Sequence, residues 1–255
     1  MRFFIELAYN GKHFFGWQIQ KKVSTVEEEL EYCLSKLLKT SINVVGASRT
    51  DKGVHAKQMF AHFDYERKIK NNFVDRLNVF LPKSIKVFNI FPVKKNIHAR
   101  FDAIKRTYKY YLTREKNPFN EDLSWYCFYP LNIQTMNIAS KKLMEYKDFS
   151  SFCKKKKKRK NEEENNICQI YHASWSENNN ILCFTIEANR FLRSMVRAII
   201  GRLIDVGRNK ISINEFVKII ELRDSNFCKF IVPACGLFLT NILYTEEIFY
   251  EKKLE

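Results

Sequence analysis

Residues 46–56 read GASRTDKGVHA, and this polar stretch follows one apolar, strand-like segment and precedes another. Four of its side chains carry or can carry charge: Arg49, Asp51, Lys52 and His55. A loop at the end of a strand is a common position for reactive side chains. The carboxylate of Asp51, flanked by Arg49 and Lys52, is expected to stay ionised. Asp51 is therefore the candidate nucleophile or base.

The same residues have an ordinary structural interpretation. An aspartate two positions before a glycine, as Asp51 and Gly53 are, is typical of turns. A histidine at the start of a strand, such as His55, is more often structural than catalytic. A structural turn thus remains the alternative to a catalytic loop.

Working outward from this loop, the periodicity of the first half predicts the order β-α-β-β-α-β. Strands are predicted at residues 2–9, 41–47, 57–65 and 84–93. The first helix is predicted to begin at a capping box, either Ser24 with Glu27 or Thr25 with Glu28. The second is predicted at residues 71–82, where a proline ends it.

The second half repeats this organisation. Strands are predicted at residues 106–113, 167–175, 181–188 and 236–244, and helices at residues 132–146, 190–207 and 213–222. The prediction is an α+β fold with two similar α/β lobes, residues 1–104 and 105–255, around a largely antiparallel sheet. A basic cleft is expected between the lobes. Residues 153–166, CKKKKKRKNEEENN, have no apolar periodicity and predict a mobile insert.

The charge balance indicates a polyanionic partner. The chain has 255 residues with Lys+Arg 44 against Asp+Glu 28, a formal net charge of +16. The run at residues 154–160 adds seven positive charges and residues 162–164 add three negative ones, so +12 remains on the rest of the chain. Such a surplus attracts nucleic acid. A general compositional bias toward lysine is the alternative.

Several protein classes are disfavoured. The seven cysteines are scattered without a C-x-x-C pair, which argues against a disulfide framework and a zinc site. Glu6 interrupts the apolar N-terminal stretch, and no segment approaches the roughly 20 apolar residues of a membrane span. We expect a cytoplasmic protein with reduced thiols, no metal and no membrane association.

Residues 105–111, KRTYKYY, form a second polar cluster. Strand alternation puts Arg106, Tyr108 and Tyr110 on one face. Interleaved rings and cations suit nucleic acid because rings stack on bases while cations bind phosphates. A tyrosine-rich sheet without such a role is an equally good interpretation.

A third cluster lies in residues 188–197, ANRFLRSMVR. Arg190, Arg193 and Arg197 follow nearly helical spacing and are predicted to share one stripe of a helix. Arg197 would then be able to enter a cleft. A solvated basic face is the alternative.

Six blocks together resemble one family. They are YNGKHFFGWQ (residues 9–18), GASRTDKGVHA (46–56), HARFDAIKRTYKY (98–110), DFSSF (148–152), ANRFLRSMVR (188–197) and CGLFL (235–239). In this order they closely resemble the TruA-type tRNA pseudouridine synthases, over nearly the whole chain.

The resemblance implies an enzyme that isomerises uridine to pseudouridine at positions 38–40 in the anticodon arm of tRNA. It implies a homodimer that needs no cofactor and no metal. By the family's pattern Asp51 is the catalytic nucleophile, Arg49 fills the space of the flipped base, Tyr108 packs on the uracil and assists proton transfer, and Arg197 pairs with Asp51. The further candidates for substrate binding are Lys52, His55, Arg106, Arg190 and Arg193.

Two other functions are weighed against this one. A non-catalytic RNA-binding protein or RNA chaperone of the same fold would not need a carboxylate in a phosphate-binding surface. A sugar or nucleoside hydrolase would need a second acid opposite Asp51, and no motif provides one.

The chain departs from the family's usual pattern at three positions. Ser48 stands where a glycine is common, Lys52 where a small residue is common, and Asn10 where an aspartate is common. A serine would strain the loop if its position needs a positive φ.

Overall fold

The computed structural model describes residues 1–154 and 165–248. The predicted mobile insert at residues 153–166 lies for the most part outside them. The chain divides into two compact units. Unit 1 contains Met1–Arg106 and the C-terminal segment from Phe238, and unit 2 contains Thr107–Leu237.

Unit 1 is built on a sheet with helices. Its strands are β1 (Arg2–Tyr9), β2 (Val45–Gly46), β3 (His55–Asp64), β4 (Ile85–Val93) and, from Phe238 onward, β9 (Leu237–Leu243). Their order is β4-β1-β3-β9, and β2 pairs with β3. β1 runs antiparallel to both β3 and β4, whereas β9 runs parallel to β3. From Phe238 onward β9 belongs to unit 1 and pairs with β3, a partition that differs from the lobe boundaries expected from the sequence.

The two helices of unit 1 are α1 (Val26–Leu38) and α2 (Phe73–Phe80). Thr25 is the N-cap of α1, because its hydroxyl accepts a hydrogen bond from the Glu28 amide. Leu30, Cys33 and Leu34 are buried on the inner face of α1, as the apolar spacing predicts. This helix is confirmed, with Thr25 as the cap.

The predicted strand at residues 41–47 is shorter than expected. The amides of Ile42 and Val44 donate to Ser35 Oγ at 2.9 Å and Glu31 Oε1 at 2.7 Å, two side chains of α1. Because these amides are bound to the helix, only Val45–Gly46 pairs with a neighbouring strand. Two side chains of α1 therefore decide the length of this strand, and not the strand's own composition.

Unit 2 contains further strands and three helices. Its strands are β5 (Lys105–Thr113), which belongs to unit 2 from Thr107, β6 (Trp125–Tyr126), β7 (Ile170–Asn178) and β8 (Ile181–Ala188). Their order is β5-β8-β7, and β6 pairs with β5. Its helices are α3 (Ile133–Lys142), α4 (Met195–Gly207) and α5 (Ile213–Glu221). The Asn137 amide of α3 exchanges two hydrogen bonds with the backbone of Trp175 in β7, which fixes this helix to the sheet.

The prediction that Arg190, Arg193 and Arg197 share a helical stripe is wrong. Helix α4 begins at Met195, and Ser194 before it has a left-handed φ of 60°. Asn189 Oδ1 accepts from the amides of Gln169 and Arg190, which holds the preceding segment in a non-helical turn. Only Arg197 lies on the helix.

The predicted α+β class with largely antiparallel strands is confirmed. Within the described parts of both units, no helix is long and apolar enough to cross a membrane. All seven cysteines lie in these parts and are thiols.

Candidate active site

Asp51 begins a tight turn at the entrance to β3. The Val54 amide donates to the Asp51 carbonyl at 3.1 Å, and Gly53, the third residue of the turn, has a φ of 77°. A third turn residue with positive φ favours glycine. The side chain of Asp51 is half-buried and Arg49, two residues earlier, is exposed. The turn predicted from the sequence is therefore present, and it positions a carboxylate. We call residues 47–54 the Asp51 loop.

A segment from the N-terminal part of the chain supports the Asp51 loop. Residues 9–17, called the supporting segment, bind the loop through its backbone: the Trp17 amide donates to the Thr50 carbonyl at 3.1 Å and the Gly53 amide donates to the Phe14 carbonyl at 3.2 Å. The Tyr9 hydroxyl lies 2.8 Å from Thr50 Oγ1. These bonds fix the loop on both sides of Asp51.

Two glycines let the backbones approach this closely. A Cβ on Gly11 would lie 2.1 Å from the Val54 carbonyl oxygen, and one on Gly16 would lie 2.5 Å from the Thr50 carbonyl oxygen. Gly16 also has a φ of 96°, which side chains rarely adopt. The sequence marked this segment only through its resemblance to a family block. The structure gives the reason for both glycines.

Trp17 links the supporting segment to α1. Its ring is fully buried, and its Nε1 donates to Glu27 Oε1 at 3.1 Å. Glu27 Oε2 accepts from the Gln18 side chain and from the Ile19 amide. Burial raises the pKa of Glu27 above its usual value, although the hydrogen bonds from Ile19 and Trp17 and the nearby Arg49 charge oppose part of this rise. The first turn of α1 therefore helps to set the position of the Asp51 loop.

The three departures from the family pattern are accommodated. Ser48 is not among the described residues with positive φ, so a serine causes no strain of that kind. The Lys52 ammonium lies 3.9 Å from the centroid of the Phe15 ring, a cation–π contact. Asn10 Oδ1 accepts from the Lys12 amide and caps the short helix at Gly11–His13. An amide performs this capping as a carboxylate would.

His55 and Arg106, two of the candidates for substrate binding, have extensive contacts inside unit 1. His55 Nδ1 accepts from the Gly11 amide at 3.1 Å, and its ring stacks on Phe238 at 4.5 Å. Arg106 is buried and its guanidinium donates to the carbonyls of Ala103, Arg100 and Ala47, the last of which lies in the Asp51 loop. These contacts favour structural roles, so neither residue is carried into the proposed substrate-binding set.

Unit 2 contains the remaining candidates. Tyr108 of β5 is buried, and its ring meets the edge of the Phe191 ring with centroids 5.2 Å apart. Tyr110, on the same face, is fully buried and donates to the Pro233 carbonyl at 3.0 Å. Burial raises the pKa of Tyr110 well above its usual value. Of these two tyrosines, Tyr110 has the contacts of a core residue.

Arg197 projects from the first turn of α4. Its Nε donates to the Val232 carbonyl at 2.8 Å. Arg190 and Arg193 belong to the turn before the helix, where the Lys154 amide donates to the Arg193 carbonyl at 3.2 Å. Arg193 is exposed and Arg190 is half-buried. In residues 1–154 and 165–248, no three His, Cys, Asp or Glu side chains cluster as metal ligands would.

Comparison with known proteins identifies the family of this chain. A family model described as tRNA pseudouridine synthase matches residues 7–102 and 139–245. The chain belongs to this family. The matched residues include the supporting segment, the Asp51 loop and Arg197, whereas Tyr108 lies between the two matched ranges.

Individual relatives cover almost the entire chain. The tRNA pseudouridine synthase A of Azobacteroides pseudotrichonymphae is 50% identical over 249 residues, which are 97% of this chain and 98% of the relative. The enzyme of the same name from Parabacteroides distasonis is 46% identical, again over 97% of this chain and 98% of the relative. That from Thermosipho melanesiensis is 37% identical over 95% and 99%.

A buried histidine in β3, His62, is expected to make unit 1 less stable in acid. His62 Nδ1 accepts from the Ala99 amide at 3.1 Å. Burial lowers the pKa of His62 to about 4, with further lowering by Arg2 and His98, whereas Asp64 and Asp102 oppose this shift. Between pH 6.5 and 4 the unfolded chain binds this proton and the folded chain does not. The free energy of unfolding should therefore fall as the pH falls through this range.

Urea unfolding at several pH values measures this effect. His62→Asn keeps a hydrogen-bond acceptor and cannot titrate, so its unfolding free energy should depend less steeply on pH between 6.5 and 4. His13→Asn, the same replacement at an exposed histidine of the same unit, is the matched control. An unchanged slope in His62→Asn would contradict the assignment.

Proposed function

We propose that this protein converts uridine to pseudouridine at positions 38–40 in the anticodon arm of tRNA. The observation that carries the proposal is the half-buried Asp51 carboxylate, held in a turn that the supporting segment fixes on both sides, in a chain of the tRNA pseudouridine synthase family. The activity is an isomerisation, and the substrate class is tRNA.

The chemistry needs few groups but strict positioning. The bond from uracil N1 to ribose C1′ breaks, the uracil turns, and a bond from C5 to C1′ forms. N1 gains a proton and C5 loses one, so no atom is added or removed overall. A carboxylate nucleophile stabilises the separated fragments without a cofactor, and it must be held in place while the uracil turns. We assign this role to Asp51.

Three other residues complete the proposed catalytic set. Arg49, exposed on the Asp51 loop, takes the place of the flipped uridine in the RNA stack. Tyr108 packs on the uracil and assists proton transfer, and the edge contact with Phe191 fixes its ring. Arg197 pairs with the Asp51 carboxylate, and its bond to the Val232 carbonyl orients the guanidinium.

Further groups support binding of the tRNA backbone. We propose that Lys52, Arg190 and Arg193 contact phosphates, in agreement with the net charge of +16. We further propose that the enzyme acts as a homodimer in the cytoplasm, without cofactor or metal.

Pseudouridine mapping tests the function. The purified protein is incubated with tRNA transcripts that contain uridine at positions 38, 39 or 40, and modified positions are detected by carbodiimide labelling and primer extension. Pseudouridine should form only in transcripts with uridine at one of these positions. Transcripts in which all three are cytidine are the matched control. Modification elsewhere, or in the control, would contradict the proposed site.

Arg49→Lys tests the base-replacement role. Extruding a stacked nucleotide requires a few kcal/mol, and a planar guanidinium can stack in its place whereas an ammonium cannot. Arg49→Lys should keep most of the affinity for tRNA and lose about ten-fold in turnover, equivalent to about 1.4 kcal/mol. Single-turnover rates at saturating enzyme measure this loss. Arg67→Lys, the same change at an exposed arginine of unit 1, is the matched control.

A second substrate separates flipping from chemistry. In an anticodon arm with a mismatch at the target uridine, part of the extrusion energy is already supplied, so the deficit of Arg49→Lys should shrink. An equal deficit on matched and mismatched arms would place Arg49 in the chemical step instead.

A further inference from the structure

A concavity opens in unit 1 next to Arg49. It has a volume of about 190 Å³, and its lining residues include Trp17, Glu27, Arg49, His98, Arg100 and Phe101. Asp51 is not among the lining residues. The concavity is therefore adjacent to the proposed base-replacing arginine but distinct from the position of the catalytic carboxylate.

Phe101 is the most unusual of these residues. Phe101 is 75% exposed, although its turn makes several backbone hydrogen bonds. His98 Nδ1 accepts from the amides of Arg100 and Phe101, and the His98 ring lies 4.3 Å from the Phe101 ring. The fold gains little from a phenylalanine so exposed, because most of its apolar surface stays in water.

The turn that carries Phe101 is bound to the sheet at three places. The Ala99 amide donates to His62 Nδ1, the Tyr244 hydroxyl donates to the Ala99 carbonyl, and Arg106 donates to the Arg100 carbonyl. An aromatic ring on a rigid turn loses little conformational entropy when a partner binds it. An exposed ring held on such a turn is therefore better suited to binding a partner than to stabilising the fold.

The charges around the concavity select the type of partner. Arg49 and Arg100 supply two cations, and the Arg100 guanidinium lies 5.8 Å from the Phe101 ring centroid. Burial, and to a lesser extent the Arg2 charge, lowers the pKa of His98, so this ring stays neutral at neutral pH. The Glu27 carboxylate is occupied by three donors. Two arginines beside one exposed ring match the phosphate and the base of a nucleotide.

We propose that this concavity is a binding subsite for one nucleotide of the RNA strand next to the target uridine. The base stacks on Phe101, and its phosphate binds Arg49 and Arg100. This inference rests on the proposed function, because it takes the RNA strand at Arg49 to be the substrate. Stacking on an aromatic ring stabilises a bound base. Phe101 thereby contributes to substrate affinity and not to the chemical step.

Fluorescent anticodon arms test the subsite. Arms with 2-aminopurine at either neighbour of the target uridine are titrated with enzyme, since stacking on a ring quenches this base. Wild-type enzyme should quench one of the two arms. Phe101→Ala should abolish the quenching and raise the Kd about ten-fold, whereas Phe101→Tyr should keep both within about two-fold because a tyrosine ring also stacks. Turnover at saturating RNA should change by less than about two-fold in both variants.

Phe88→Ala is the matched control, because Phe88 is a partly exposed phenylalanine of unit 1 that does not line the concavity. Urea unfolding of each variant checks that the fold is intact. The subsite is refuted if Phe101→Ala binds RNA as wild type does, or if Phe88→Ala weakens binding equally. The proposed function is tested separately by pseudouridine formation. If the wild-type protein forms no pseudouridine but Phe101→Ala still weakens RNA binding, the proposed reaction is contradicted and the nucleotide subsite is not.

Discussion

The Asp51→Asn variant should form pseudouridine at no more than about one per cent of the wild-type rate, since the amide is almost isosteric but is not a nucleophile. The turn should persist because the bonds that hold it are made by backbone groups, such as the Val54 amide with the Asp51 carbonyl. The Kd for tRNA should therefore change by less than about five-fold, because one carboxylate is a small part of a large RNA interface. Single-turnover mapping and filter binding measure the two quantities.

Asp75→Asn is the matched control for this experiment. Asp75 lies in the first turn of α2, in the same unit, and its replacement changes the net charge equally. Both variants should bind tRNA similarly, and Asp75→Asn should keep wild-type turnover. Turnover in Asp51→Asn that exceeds a few per cent of wild type would remove Asp51 from the proposed role.

Gly16→Ala should have the second-largest effect, although residue 16 supplies no chemical group. An added Cβ would lie 2.5 Å from the Thr50 carbonyl oxygen and 3.1 Å from the Asp51 carbonyl carbon, and the φ of 96° disfavours any side chain. Either the supporting segment or the Asp51 loop must move. Displacement of a catalytic group by about 1 Å can reduce turnover about a hundred-fold. We expect kcat to fall by this order, together with a lower free energy of unfolding.

Gly207→Ala separates displacement of the loop from general destabilisation. A Cβ there would lie 2.4 Å from Met136 Sδ, in unit 2, so this variant should also unfold at lower urea concentration. The folded fraction of this variant should keep the wild-type kcat. The atoms nearest to the added Cβ belong to Met136 and Leu131, which lie in neither the Asp51 loop nor the supporting segment. Equal losses of kcat in the two variants would contradict a specific role for Gly16.

Much of the secondary structure was predictable from the sequence. The strand at residues 2–9 was predicted with the bounds of β1, and α1 and α5 begin at the residues that their capping patterns and periodicity indicate. These features depend on residues two to four positions apart, whose effects the sequence displays directly. The Asp51 turn was predictable for the same reason, since Gly53 is only two positions away.

Features that depend on hydrogen bonds between different segments of the chain were not predictable in this way. The strand at residues 41–47 shortened because Glu31 and Ser35 bind its amides, and α4 began late because Asn189 and Ser194 hold the preceding turn. In both cases a competing hydrogen bond outweighs the local apolar pattern.

The sequence by itself determined the α+β class, the family and the identity of the candidate carboxylate, because local periodicity and ordered motifs carry that information. Only the tertiary structure decided which polar side chains face inward and which apolar ones stay exposed. Arg106 and His55 resemble ligand-binding residues in the sequence but bond to backbone groups of unit 1, whereas the apolar side chain of Phe101 is exposed. The physical reason is that burial and hydrogen bonding depend on residues far apart in the chain. Ala99, for example, bonds to His62 and Tyr244, which lie 37 and 145 positions away, and no local pattern encodes those partners.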